Sequence, residues 1–80
     1  MSIKHLDLIK KSFQLKDKDI DKIKKNENID LENYNWDSIV VINLITLVSD
    51  KYNKNIKPEN LQKVKTFKSL DNFLKRLISK

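Results

Sequence analysis

The feature that most limits what this 80-residue chain can become is residues 39–48, an apolar run broken only by Asn43 and Thr46. It falls well short of the roughly 18–20 residues that cross a bilayer, so it belongs in a protein core. Its opening, Ile39-Val40-Val41-Ile42, is β-branched throughout and taken alone favours a strand. The longer pattern overrules that. Ile42, Ile45, Val48 and Tyr52 recur every three or four residues, while Asn43, Thr46 and Asp50 form a polar line on another face. A strand of such length is unusual, so the spacing predicts a helix over 38–52. The polar tetrad Asn35-Trp36-Asp37-Ser38 leads into it, with Asp37 placed to cap the first free amides and Ser38 in the opening turn. One hydroxyl is thereby set at the positive end of a helix. Free N–H groups and the dipole there favour a bound phosphate by roughly 0.3–1 kcal/mol at an exposed terminus, which makes Ser38 a candidate phosphodiester attachment point.

On either side of this helix the pattern is again helical. Leu6, Ile9 and Phe13 lie at helical spacing among lysines, so residues 2–14 read as an amphipathic first helix, with Ser2 a possible N-cap. From 15 to 35 the signal thins into alternating charge and asparagine, with Ile20 and Ile23 one turn apart, and a long loop is expected, pinned by Ile29, Leu31 and Tyr34. Asn53-Lys54-Asn55 ends the central helix and Ile56 returns to the core. Pro58 suits the first position of a short helix over 58–64. Thr66 is expected to cap a last helix, in which Phe67, Leu70, Phe73, Leu74, Leu77 and Ile78 hold helical spacing and Lys75, Arg76 and Lys80 complement the dipole. The expected fold is therefore all-α: a small four-helix bundle of three longer helices and one short one, a single domain over 1–80, with a long loop after the first helix. Its expected core is Leu6, Ile9, Phe13, Ile42, Ile45, Val48, Tyr52, Ile56, Leu61, Val64, Phe67, Leu70, Phe73 and Leu74.

Composition removes several kinds of chemistry. Without cysteine there is no disulfide and no thiolate metal site, so any thiol must be imported. Without glycine there is no Gly-rich phosphate loop of either the P-loop or the dinucleotide type. The one histidine, His5, has no cysteine or second histidine to make a metal site or a nucleophile–base pair, and reads as a solvated surface side chain. No metal site, no catalytic residue and no enzyme are expected. The charge of +6 is spread along the chain and often offset by adjacent acids, as in Lys16-Asp17-Lys18-Asp19. Together with the abundant asparagine and isoleucine, it is what an AT-rich coding sequence gives, so it points only weakly to nucleic acid or membrane. With no signal-peptide pattern at the N-terminus either, a cytoplasmic protein is expected.

The run Trp36-Asp37-Ser38-Ile39, followed by Ile42-Asn43-Leu44-Ile45, Tyr52, Ile56, Pro58 and Thr66-Phe67, resembles the acyl carrier proteins over nearly the whole chain. In that family an Asp-Ser-Leu or Asp-Ser-Ile tripeptide opens the second helix, and its serine carries 4′-phosphopantetheine. The Trp-Asp-Ser variant looks most like the small discrete carriers of surface-polysaccharide and secondary-metabolite acyl transfer. The resemblance implies that Ser38 is esterified by a phosphopantetheinyl transferase using coenzyme A, with Asp37 and Trp36 beside it, Trp36 either packing the bundle end or sheltering the arm. It implies an acyl or aminoacyl cargo held as a thioester, and as partners a loading ligase and an acyltransferase, with the protein monomeric and bound to neither nucleic acid nor membrane. Ile42, Ile45, Val48, Ile56, Leu61 and Val64 would line the acyl pocket. Val40, Val41 and Leu47 are apolar beyond what the core stripe needs, and read either as broader burial against other helices or as part of a docking face, which would use Ile39, Val40, Asn43, Leu47 and Asp50.

The chain departs from carriers of fatty-acid synthesis, which present acids along the second helix. The matching positions here are Val40, Asn43 and Ser49, leaving Asp50. Docking is then expected to rest on apolar and amide contacts with a dedicated enzyme, with weak electrostatic steering and poor loading by fatty-acid synthase enzymes. The alternatives are a small basic helical module binding nucleic acid and a helix-docking adaptor indifferent to Ser38.

Overall fold

A computed structural model describes residues 3–79 of the chain. Its regular structure is helical: α1 (Leu6–Phe13), α2 (Asp17–Lys25), a 3₁₀ turn (Leu31–Tyr34), α3 (Ser38–Tyr52), α4 (Pro58–Leu61) and α5 (Phe67–Ile78), with no strand among the described residues. α1 packs along α3, and α4 closes against α3. Among the described residues no helix is long and apolar enough to cross a membrane.

The segment expected to be a long loop is where the fold departs most from expectation. It contains α2, whose Ile20 and Ile23 are 8% and 0% exposed. Asp19 reaches back to accept the Lys16 N–H at 3.1 Å, Asp17 and Asp19 occupy the first turn, and Lys22, Lys24 and Lys25 occupy the last. The charges that read as loop follow the helix dipole, and two isoleucines one turn apart suffice to seat a short helix on a core. The four-helix expectation thus gains a fifth helix. The rest of the segment is fastened by backbone bonds to the start of α5: Leu31 N–H to the Lys65 carbonyl at 2.8 Å, Phe67 N–H to Ile29 at 3.2 Å and Lys68 N–H to Glu27 at 2.8 Å. Asp30 and Thr66 form an isolated antiparallel bridge there. Leu31 is fully buried, and Ile29 and Tyr34 pack against the core as the pinning residues expected of them.

Helix ends follow local chemistry. Lacking glycine, the chain turns at Gln14, Asn35 and Asn53, all in the left-handed region, with Gln14 closing α1 and Asn53 closing α3. Asparagine tolerates this conformation better than most side chains. Thr66 accepts the Ser69 N–H at 3.1 Å and caps α5 as expected. α1 is shorter than expected, because its N-cap is His5 rather than Ser2, which lies outside the described residues. α4 stops at Leu61, short of Val64.

The core contains Ile9, Phe13, Val48, Ile56, Leu61, Phe67, Leu70 and Leu74 as expected, together with Leu8, Ile20, Ile23, Leu31, Val40 and Leu44. Leu6, Ile45, Tyr52, Val64 and Phe73 are half-buried against it. Ile42 is a correction, being 60% exposed. The face that α3 buries is Val40, Leu44 and Val48, at 8%, 0% and 0% exposure, rather than the stripe through Ile42. A helix apolar on nearly every side has no stripe to read, and the elements packed on it choose the face. His5 is a second correction. It is 8% exposed rather than solvated, edge-on to the Tyr52 ring at 6.2 Å.

Candidate functional site

The corner between the 3₁₀ turn and α3 is built from aromatic contacts. Phe13, the last residue of α1, stacks on Trp36 with centroids 5.4 Å apart and planes 16° off parallel. Its ring also meets Phe67 at 5.3 Å, and Phe67 takes Tyr34 edge-on at 5.5 Å. Asn35, left-handed at φ 62°, stands between the two anchored aromatics Tyr34 and Trp36. The Trp36 ring therefore packs the end of the bundle, the first of the two roles expected for it.

Immediately beyond, Asp37 is the N-cap of α3. Its Oδ1 accepts the Val40 N–H at 3.1 Å and its carbonyl accepts that of Val41 at 3.1 Å. Ser38 is the first residue of the helix and is exposed. The amides of Ser38 and Ile39 have no acceptor inside the helix, since the first-turn N–H groups never do. The hydroxyl thus stands in solvent at the positive pole of a helix of 15 residues.

Apolar surface surrounds it: Ile39 and Ile42, at 67% and 60% exposure, are the exposed large hydrophobic residues among those described. The other expected docking residues separate from them. Val40 is buried and faces the core, which removes it from any docking face. Asn43 is half-buried, and its Nδ2 donates to the Ser12 carbonyl at 3.4 Å, tying α3 to α1. Leu47 and Asp50 line a cleft of about 180 Å³ with Asp7, Leu8, Lys11 and Lys51. Leu47 lies about 140° around the helix from Ile42, so that cleft belongs to the α1 side.

The residues expected to line an acyl pocket are also divided. Val48, Ile56 and Leu61 are buried in the shared core, and Ile45 and Val64 are half-buried against it. Ile42, pointing to solvent, is no part of such a lining.

Two further features escaped the sequence reading. Asp71 is 2% exposed and bonds the backbone at the start of α1; an acid at position 71, on the face otherwise formed by Phe67, Leu70 and Leu74, was its one visible signal. The Asn43 bond to Ser12 had none, because it depends on how α1 and α3 meet. Among the described residues no group of three or more His, Asp or Glu side chains is placed to hold a metal ion. No protein-family model matches this chain, and no curated protein and no solved structure matches it either.

Proposed function

We propose that this protein is a carrier, not an enzyme, with Ser38 the attachment point for 4′-phosphopantetheine. The observation that carries the reading is one exposed hydroxyl on the first residue of a long helix, with Asp37 capping the turn and first-turn amides that no helical carbonyl accepts from. Those residues fit the group: an accessible primary alcohol, room in solvent, and a helix pole that favours the phosphate. The order of α3, α4 and α5 supports the resemblance to acyl carrier proteins, whereas α2 stands where the resemblance implies a loop.

In modification by a phosphopantetheinyl transferase, the Ser38 oxygen would attack the pantetheine-bearing phosphorus of coenzyme A and give up its proton, forming the phosphodiester as the pyrophosphate P–O bond breaks and adenosine 3′,5′-bisphosphate leaves. Asp37 holds the first turn rigid, so the nucleophile is presented in one direction. The attached group supplies a thiol on which an acyl or aminoacyl cargo is carried as a thioester. Tethering raises the cargo's effective concentration at each partner's site. Ile39 and Ile42 offer the loading ligase and acyltransferase an apolar landing beside Ser38, without the acidic row that would meet a basic enzyme surface.

Mass spectrometry after incubation with coenzyme A and a broad-specificity transferase tests the reading. Gain of one phosphopantetheinyl group, absent in Ser38→Ala, is the expected result. Wild-type protein that stays unmodified overturns it and leaves the helix-docking adaptor, which the exposed Ile39 and Ile42 favour.

A further inference from the structure

Building on the carrier reading, we infer that Trp36 and Asn43 are positioning residues for Ser38: they flank it and fasten both sides of it to the C-terminal end of α1. Trp36, two residues before the serine, lies flat on Phe13. Asn43, five residues after it, donates its amide to the carbonyl of Ser12 at 3.4 Å. Ser12 and Phe13 are neighbours in sequence and both buried, at 1% and 9% exposure, so a single rigid end of α1 holds the chain on either side of the hydroxyl. That end is itself braced: Phe13 meets Phe67 at the start of α5, and the Ser12 hydroxyl donates to the Ile9 carbonyl at 3.1 Å.

The chemistry of the two contacts argues for direction as well as packing. The other α3 residues turned into the body, Val40, Leu44 and Val48, are apolar, and a residue that only filled the gap to α1 would be apolar too. An amide bonded to one carbonyl adds a directional contact between α3 and α1 to the apolar packing that already turns Val40, Leu44 and Val48 inward. The stacked pair fixes where the helix begins. Together with the Asp37 cap they set both coordinates of an exposed nucleophile. A displacement of about 1 Å at a reacting atom can cost roughly 100-fold in rate.

The test uses unmodified full-length protein as substrate for a broad-specificity phosphopantetheinyl transferase with coenzyme A, comparing Trp36→Ala, Trp36→Phe, Asn43→Leu and a control, Leu77→Ala. Leu77 packs on the core ten residues beyond Phe67, about 15 Å along α5. Trp36→Ala and Asn43→Leu should lower kcat/KM about tenfold, Trp36→Phe should restore it by keeping the stack, and Leu77→Ala should leave it alone. Unchanged kcat/KM in Trp36→Ala, no rescue in Trp36→Phe, or an equal loss in Leu77→Ala overturns the inference. If wild-type protein is not a substrate at all, the carrier reading fails separately, and amide exchange decides whether α1 fixes this corner. Faster exchange at Val40 and Val41 in Trp36→Ala and Asn43→Leu, but not in Leu77→Ala, supports it; unchanged exchange overturns it.

Discussion

The carboxylate of Asp71 on α5 accepts the backbone N–H of His5 at 2.8 Å and that of Lys4 at 3.0 and 3.1 Å, closing the open end of α1 from the last helix of the chain. The His5 amide is buried, and without Asp71 it would lack that acceptor.

Asp71→Asn keeps the shape and removes the charge. It should lower stability by about 1–3 kcal/mol in urea denaturation, the range for a charged hydrogen-bond partner lost from a buried site. Lys75, the ion-pair partner at 3.2 Å, is 39% exposed at its side chain, so Lys75→Met should cost no more than about 1 kcal/mol. A larger loss at Lys75 than at Asp71 would mean that the ion pair, and not the cap, holds α1.

Burial lowers the pKa of His5 from its ordinary 6.5, against the pull of Asp71 and with the help of Lys4, Lys75 and Lys51. The folded protein therefore resists protonation that the unfolded chain accepts. Below pH 6.5 the unfolded state binds more protons, so this contribution is present above 6.5 and is lost as pH falls through the depressed folded value. Thermal melting across that window should show a slope that flattens in His5→Phe, which keeps the edge contact with Tyr52. An equal slope in the variant would place the titration elsewhere.

The buried face of α3 is tested by two substitutions two residues apart. Leu44→Ala, at a fully buried position, should cost about 2–5 kcal/mol, while Ile42→Ser should stay within about 0.5 kcal/mol of wild type. Denaturation midpoints decide, and the reverse ranking would restore the stripe through Ile42.

Asp37 caps α3 through its side chain, so Asp37→Ala should lower stability by about 0.5–2 kcal/mol, and Asp37→Asn or Asp37→Ser should recover most of it. Recovery in neither variant would show that Asp37 does something other than cap.

Amide exchange is the direct check on α2. Its amides should be protected in wild type and lose protection in Ile23→Ala, whose side chain is fully buried. Free exchange through residues 20–25 in wild type would return the segment to a loop.

What the sequence determined by itself is what local chemistry determines. Asp37 and Thr66 cap because a short polar side chain before an apolar run can reach the first amides, and both do so. α5 was legible as a helix, because its apolar residues keep to one face among polar neighbours, although the burial of Asp71 on that face was not. The placement of Ser38 at a helix start followed from the same reasoning. Tertiary structure alone decided which face of α3 is inside, since Ile42 and Leu44 lie on different apolar faces of the helix and packing chooses between them. It also decided that α2 is a helix, because nine charged and β-branched residues gain their order from a core contributed by other elements. The His5 amide met its acceptor 66 positions away, and the residues that hold Ser38 from either side met, only when the helices packed together. Local sequence fixes the caps at Asp37 and Thr66; contacts between distant residues exist only once the chain has closed on itself.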